Sequence, residues 1–261
     1  MKELTNLKIS IDKEILTITI SRPKKYNALD NTSLEELRSA IQGAYDKKEI
    51  KGVIITGAGN NAFVAGADIN EIANLNELNG RKFSEKGQEI FALIENLHKP
   101  VIAAIDGYAL GGGCELAMAC HIRVCTAKSI FGFPEVTLGM IPGYGGTQRL
   151  TQLVGKGKAL ELMMTAENID ASEALRLNLV NHVVKDNEEL MSKSRQLLQK
   201  ISANAPLAVG MLINCVNAVY SFDENGYQAE ANSFSNCFKS NDLREGVNAF
   251  IEKRRPDFKG E

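Results

Sequence analysis

The chain has 261 residues, of which 44% are hydrophobic and 24% are charged, and its formal net charge is −2. These values are ordinary for a globular protein and exclude a disordered, collagen-like or coiled-coil chain. The near-neutral charge also argues against a nucleic-acid-binding protein, which normally carries a basic excess or stripe.

The N-terminal residues and the hydropathy pattern indicate where the protein works. No apolar run approaches the ~20 residues of a membrane span, and the first residues lack the apolar segment of a secretory signal. Glu3 places an acid where transit peptides avoid one. We therefore expect a cytoplasmic protein with no membrane partner.

The first two-thirds of the chain alternate between strand and helix patterns. Apolar residues alternate with polar ones over residues 9–20 around a turn at 12–14, which predicts a hairpin. Thr32 and Glu35 have the spacing of a capping box and predict the start of a helix. Apolar runs at 53–55, 101–105 and 122–125 predict buried strands, and the periodicity from Phe83 to Leu97 predicts a helix between the first two runs.

From about Gly155 onward the pattern is mostly helical. Pro206 suits the first turn of one helix, and Ser240 suits the cap of the last. The sequence therefore predicts an α/β layered core over residues 1–200 and a helical C-terminal region over residues 201–261.

Three cysteines and a histidine cluster at Cys114, Cys120, His121 and Cys125. Zinc sites usually pair ligands two to four residues apart, and this stretch is apolar and helix-like. The five cysteines of the chain are odd in number and form no C-x-x-C motif, which disfavours a disulfide framework. We expect free core cysteines and no metal.

The glycines at 111–113 follow a predicted strand and open a predicted helix. Leu116 stands where a dinucleotide fingerprint needs its last glycine, and residues 155–158 lack the Ser or Thr of a phosphate-binding loop. The turn can present backbone N–H groups to a negatively charged oxygen. It can equally serve only as a tight turn.

Two carboxylates stand among apolar neighbours, Glu115 in the helix start and Glu135 after residues 131–134. Such an environment can separate two pKa values, so that one site holds both an acid and a base. Two buried structural acids would have the same pattern. Small residues at 63–68 would let a ligand approach the backbone, or they form an ordinary strand-to-helix loop. The turn at 141–149 could shape a pocket wall or cap a helix.

Basic residues cluster at Arg22, Lys24 and Lys25, and again at Lys253–Arg255. A solvated surface is the commoner meaning of such clusters, and phosphate binding is the alternative.

Together, these segments resemble the enoyl-CoA hydratase (crotonase) family nearly end to end. The resemblance rests on residues 21–24 and 27–29, 63–69, 99–104, 107–115, 131–135 and 142–149, in that order, with Glu115 and Glu135 both present. It implies a spiral of ββα repeats, a C-terminal helical region for oligomerisation, and a homo-hexamer built from two trimers.

The resemblance also implies a ligand and a reaction, the hydration of a short- or medium-chain 2-enoyl-CoA thioester without a metal or redox cofactor. Backbone N–H groups of Ala67 and Gly112 would hold the thioester oxygen. Glu115 would deprotonate the water that attacks C3, and Glu135 would deliver a proton to C2.

Further family positions map onto the substrate. The resemblance assigns substrate or coenzyme A contacts to Lys24, Ala28, Ala65, Asp68, Ile69, Phe250 and Lys253, the last two from a neighbouring subunit. It assigns the pocket wall to Phe133, Gly143 and Tyr144. Phe133 and Tyr144 depart from the usual family residues, and so does Asn70, which replaces a frequent Lys; the acyl chain length therefore stays open.

Other activities also remain open. An enoyl-CoA isomerase and a hydratase for branched or aromatic acyl-CoA are the nearest alternatives. A non-catalytic acyl-CoA-binding subunit is disfavoured, because a pure binder gains nothing from two desolvated acids. A nucleotide-dependent dehydrogenase is disfavoured by the failed fingerprint.

Overall fold

Two β-sheets form the centre of the computed structural model, which describes residues 4–221 and 223–261. The strands are β1 Leu7–Asp12, β2 Ile15–Ile20, β3 Gly52–Gly57, β4 Ala62–Ala65, β5 Val101–Ile105, β6 Tyr108–Leu110, β7 Ile122–Thr126, β8 Ile130–Gly132, β9 Ile169–Asp170 and β10 His182–Val184. The first sheet has six strands in the order β1-β2-β3-β5-β7-β10, and the second has four in the order β4-β6-β8-β9.

Helices connect the strands and form the C-terminal region. They are α1 Asn31–Asp46, α2 Ile69–Ile72, α3 Glu77–Glu95, α4 Gly112–Ala119, α5 Gly146–Val154, α6 Lys156–Thr165, α7 Ala171–Arg176, α8 Asn187–Ser202, α9 Pro206–Asn217, α10 Gly226–Cys237 and α11 Asn241–Ile251. Short 3₁₀ helices cover Pro23–Lys25, Pro134–Leu138 and Ala218–Tyr220.

Successive strands divide between the two sheets. β3, β5 and β7 run parallel in the first sheet, and the strands that follow them, β4, β6 and β8, run parallel in the second. Helices then carry the chain to the next pair of strands. Each repeat of strand, strand and helix therefore adds one strand to each sheet, which is the expected spiral of ββα repeats.

Side chains alternate between the two faces of a sheet, and along the central strands β3, β5 and β7 of the first sheet nearly all of them are buried. Val53 and Ile55 pack in the large core cluster, which also contains residues of α1, α3 and α4. Ile54 packs in a second cluster with Leu190 and Leu198 of α8. The continuous apolar runs of the sequence are therefore explained by helices on both sides.

Helix caps agree with the sequence at one end of the chain and differ at the other. Ser240 caps α11 by accepting a 3.2 Å hydrogen bond from the Leu243 N–H. The predicted Thr32–Glu35 capping box is wrong. Asp30 has extended backbone and accepts a 2.7 Å hydrogen bond from the Ser33 N–H, so α1 begins two residues before the predicted cap would allow.

The C-terminal helices α9–α11 follow α8. The division of the chain into two regions at residue 200 stays a prediction. Cys114, Cys120 and Cys125 are buried free thiols, as expected, and the described residues contain no group of side chains that could hold a metal ion. No single described helix is long and apolar enough to cross a membrane. One pair of helices, α8 and residues 206–220, has the required length and apolar composition only when the two are counted together, and they are bent by 107° relative to each other.

Candidate active site

A cavity of about 720 Å³ lies at the carboxyl ends of the parallel strands β4, β6 and β8. The segments that follow these strands all line it, at residues 65–67, 111–112 and 134–135. Residues of α3 and α5 form the opposite walls. Parallel strands end at one edge of a sheet, so the topology gathers three loops that are far apart in sequence.

Ala67 and Gly112 both line this cavity, and each brings a backbone N–H group to its wall. A Cβ atom on Gly112 would lie 3.4 Å from the Ala67 nitrogen, so the two residues are in direct contact. Among the described residues neither N–H donates a backbone hydrogen bond. Gly112 is the first residue of α4, whose positive end adds to the attraction for a negatively charged oxygen.

Glycines allow this close approach. Gly111 precedes α4 and has a φ angle of +48°, which residues other than glycine rarely adopt. A Cβ on Gly113 would overlap the Val64 carbonyl of β4. The glycine run therefore brings the helix against the strand, which agrees with the tight-turn interpretation, and the anion site stays a prediction.

Glu115, in the first turn of α4, is 2% exposed. Its Oε1 accepts hydrogen bonds of 2.8 Å from the Tyr144 N–H and 2.7 Å from the Gly146 N–H. The pKa of this carboxyl is raised to about 7, because burial and, to a smaller extent, nearby Glu135 raise it more than the two N–H donors and Arg149 lower it. A carboxyl with a pKa in this range can exchange its proton near neutral pH.

Glu135 is the second residue of the 3₁₀ helix that follows β8. Its Oε1 lies against Gly111, where a Cβ would be 2.5 Å away. Its Oε2 is buried and has no hydrogen-bond partner among the described residues. Burial raises the pKa of this carboxyl above its ordinary value, and a carboxyl that holds its proton can donate it.

Tyr144 forms the wall of the cavity next to Gly112. Its ring lies 5.2 Å from the Phe83 ring and 5.4 Å from the Phe91 ring, measured between centroids. A Cβ on Gly87 of α3 would overlap this ring, and one on Gly112 would lie 3.3 Å from it. The ring is wedged between α3 and α4, where it narrows the space beside the two N–H groups.

The structure brings eight of the predicted site residues together. They line the one cavity: Ala65, Ala67, Ile69, Gly112, Glu115, Glu135, Gly143 and Tyr144.

Phe133 lies away from its predicted place on the pocket wall, and the Asp68 side chain is engaged within the protein, so that its contact with a ligand stays a prediction. Phe133 is 1% exposed and lies in the core instead of on the cavity wall. The Asp68 carboxylate caps α2 and pairs with Arg22 at 2.9 Å, which lowers its pKa. Arg22 also pairs with Asp30 at 3.0 Å, so this member of the first basic cluster is engaged within the protein.

Four predicted coenzyme A contacts lie away from the cavity in this single chain. Lys24 and Lys253 are exposed, and Phe250 is 86% exposed on α11, where it lines a separate apolar cavity of about 360 Å³. Ala28 is half-buried, and its carbonyl accepts a hydrogen bond from Arg22. Their contacts with a ligand stay predictions.

Sequence reasoning missed the contribution of α3. Ser84 donates a 2.5 Å hydrogen bond to the Gly143 carbonyl, and Gln88 donates another of 3.1 Å. Both residues line the cavity, as does Glu95 at the end of the helix. Gly87, a lone glycine inside a helical pattern, is the signal that could have indicated close packing there.

Known proteins share both the sequence and the fold. The sequence profile of the Enoyl-CoA hydratase/isomerase family matches residues 10–261. A short-chain-enoyl-CoA hydratase of Clostridium acetobutylicum is 45% identical over 254 residues, and a crotonyl-CoA hydratase of Syntrophomonas wolfei is 43% identical over 254 residues; each alignment covers 97% of both chains. The crystal structure of an enoyl-CoA hydratase from Bacillus anthracis has a TM-score of 0.92 at 37% identity and covers 98% of this chain and 100% of that chain.

The similarity includes the strands that form the cavity and the helices that close it. Because it extends over nearly the whole chain in sequence and in structure, the chain is an enzyme of the enoyl-CoA hydratase/isomerase (crotonase) family.

Proposed function

We propose that the protein catalyses the reversible addition of water to a short-chain trans-2-enoyl-CoA, which yields the 3-hydroxyacyl-CoA. The observation that carries this proposal is the presence of both Glu115 and Glu135 on one cavity, with raised pKa values, beside a pair of free N–H groups. A dehydration runs through the same groups in reverse.

The N–H groups of Ala67 and Gly112 bind the thioester oxygen. Attack of water at C3 moves an electron pair onto this oxygen and forms an enolate. Donors that are already oriented stabilise the new charge without reorganisation, and the loss of one such donor typically costs about 3–4 kcal/mol. The positive end of α4 acts in the same direction.

Glu115 is the base and Glu135 the acid. Oε1 of Glu115 is held by two N–H groups, which leaves Oε2 to take a proton from water as the oxygen bonds to C3. The enolate then collapses and C2 takes the proton of Glu135. One proton has entered and one has left the carboxyl pair, and exchange with solvent restores the starting state. Each group typically contributes about 10²–10⁴-fold.

Two observations support a short acyl chain. The relatives above carry short-chain and crotonyl substrates in their names. The Tyr144 ring narrows the cavity next to Gly112, where the first carbons beyond the thioester would lie. No metal or redox cofactor is required by this reaction, because the enolate charge is held by N–H donors and the protons by carboxyls.

We also propose that the protein works as a homo-hexamer of two trimers and that Lys24 and Lys253 bind the phosphates of coenzyme A. Large apolar side chains are exposed on the C-terminal helices: Leu212, Val216, Phe234, Phe238 and Phe250 are each more than half exposed. Such a surface is typical of a subunit interface. The cytoplasmic localisation stays a prediction of the sequence.

The test is the reaction of purified protein with crotonyl-CoA in water labelled with ¹⁸O, and separately in D₂O. Hydration removes the absorbance of the conjugated thioester, places ¹⁸O at C3 and places one deuterium at C2. The expected product is 3-hydroxybutyryl-CoA. An isomerase would move the double bond of a 3-enoyl-CoA and incorporate no ¹⁸O.

The outcome against the proposal is bound crotonyl-CoA that is not converted. A panel of branched and aromatic 2-enoyl-CoA thioesters then separates the remaining hydratase alternatives from a binding subunit, which would convert none of them.

A further inference from the structure

An ion pair at the wall of the cavity, between Arg149 and Glu95, is not used by the mechanism above. Arg149 of α5 is 8% exposed, and its Nε and Nη2 donate hydrogen bonds of 3.1 and 2.7 Å to the two carboxylate oxygens of Glu95, the last residue of α3. Such a two-pronged contact fixes the plane of a guanidinium group.

The third donor of this guanidinium is aimed at the active site. Nη1 of Arg149 donates a 2.9 Å hydrogen bond to the Tyr144 carbonyl. Tyr144 and Gly146 are the two residues whose N–H groups hold Oε1 of Glu115. Gly145, between them, has φ +100, and a Cβ there would overlap Arg149. The turn is therefore shaped to fit the guanidinium on one side and Glu115 on the other.

Glu95 is itself held in place from two directions. Its backbone carbonyl accepts hydrogen bonds of 3.0 Å from Nε2 of His121 and 2.7 Å from the side-chain amide of Asn217. Nδ1 of His121 accepts a 2.9 Å hydrogen bond from the Val101 N–H, which leaves the imidazole proton on Nε2. The backbone that carries the Glu95 carboxylate is therefore held in place by these hydrogen bonds.

We propose that Arg149 and Glu95 are positioning residues, which aim the Glu115 carboxylate by holding the turn at residues 144–146. This inference rests on the proposed role of Glu115 as the base. A chain of direct contacts runs from Glu95 through Arg149 and the turn to Glu115, and each of its hydrogen bonds is 3.1 Å or shorter.

The charge of Arg149 also reaches Glu115. The charged or titratable groups around Glu115 are Arg149 from α5, with Glu95 behind it, Glu135 from the 3₁₀ helix after β8, the Tyr144 phenol from the turn, and the neighbouring Cys114 thiol of α4. Arg149 lowers the pKa of Glu115 and Glu135 raises it. Removal of the Arg149 charge should therefore raise this pKa, and removal of the Glu95 charge should lower it.

The experiment compares Arg149→Met, Arg149→Lys and Glu95→Gln with the native enzyme. The matched control is Arg176→Met on α7, because Arg176 makes the same two-pronged contact with Glu173 but is exposed and far from the cavity. The measurements are kcat and KM for crotonyl-CoA against pH, and a ¹³C NMR titration of the Glu115 carboxyl, assigned with Glu115→Gln.

For Arg149→Met we expect kcat to fall by about 10- to 100-fold, since misplacing a catalytic group by about 1 Å can have an effect of this size. KM should change by less than about threefold, because a positioning residue acts through the Glu115 carboxylate and not through substrate binding. The acidic limb of the pH profile and the NMR midpoint should both move to higher pH. Arg149→Lys keeps the charge, so it should keep the midpoint and recover part of kcat.

Glu95→Gln should move the midpoint to lower pH, and Arg176→Met should change nothing. The inference is overturned by a folded Arg149→Met enzyme with native kcat and midpoint. If Arg149→Met does not fold, the isosteric Glu95→Gln decides through the direction of its midpoint. If the native enzyme does not hydrate enoyl-CoA, the proposed function fails, and the NMR titration alone decides whether the ion pair controls Glu115.

Discussion

The replacement Glu115→Gln separates the catalytic value of this residue from its effect on stability. The pKa of the Glu115 carboxyl rises from 4.5 to about 7 on folding, chiefly because the group is buried. At about 1.4 kcal/mol for each tenfold change, the ionised carboxylate costs the folded state about 3 kcal/mol. A glutamine has the same shape, and its carbonyl oxygen can accept the N–H groups of Tyr144 and Gly146 without that cost.

The sign of the pH dependence follows from proton binding. The folded protein binds the Glu115 proton more tightly than the unfolded chain does. This contribution to stability is complete below pH 4.5 and is lost as the pH rises to about 7. The glutamine variant should therefore gain about 1 kcal/mol over the native protein near pH 5 and about 3 kcal/mol near pH 8. Its kcat should fall by about 100-fold or more.

Urea unfolding at both pH values, at one fixed protein concentration, measures the gain. Glu167→Gln, which changes an exposed carboxylate in the same way, is the control and should show no such trend. A glutamine variant that is no more stable than the native protein near pH 8, or whose gain is the same at both pH values, would refute the assignment of a buried, costly charge to Glu115.

Three further predictions concern the acyl pocket, the coenzyme and the packing of α4. Tyr144→Ala should raise kcat/KM for 2-octenoyl-CoA relative to crotonyl-CoA by about tenfold or more, since a few methylenes in an apolar pocket are worth several kcal/mol. Tyr144→Phe keeps the ring and should leave this ratio unchanged, whereas an unchanged ratio in the alanine variant would contradict the steric role of Tyr144. Lys253→Ala should raise KM for crotonyl-CoA severalfold at low salt without changing kcat; crotonyl-pantetheine, which lacks the nucleotide phosphates, should be unaffected, and an equal effect on both substrates would count against phosphate binding. Gly113→Ala should destabilise the protein by about 3 kcal/mol or more, because the added Cβ would overlap the Val64 carbonyl; Gly43→Ala in α1, where nothing lies within 4 Å of the added Cβ, should stabilise it slightly in the same thermal melt.

The sequence by itself determined the elements that carry long or strongly periodic patterns. The apolar runs at 53–55, 101–105 and 122–125 are strands β3, β5 and β7, and Pro206 and Ser240 stand at the helix starts where their chemistry suits them. These signals are local, because a buried parallel strand must be apolar on both faces and a helix start must satisfy its own N–H groups.

The second sheet could not be predicted in this way. Strands β4, β6, β8 and β9 have two to four residues each, which is too short for a period of two to stand out. They exist because pairing along the spiral supplies their hydrogen bonds. The capping box at Thr32 failed for a similar reason, since Asp30 was available two residues earlier.

The sequence also pointed to Glu115 and Glu135 as two carboxylates in apolar surroundings. What each can do depends on atoms far along the chain. Glu115 is held by N–H groups 29 and 31 residues away, and Arg149 reaches back 54 residues to Glu95. A pKa is set by burial and by neighbours in space. Only the folded arrangement of α3, α4 and α5 could therefore decide that Glu115 is held by two N–H groups and that Oε2 of Glu135 has no hydrogen-bond partner among the described residues. The same arrangement decides how much room Tyr144 leaves beside the two acids.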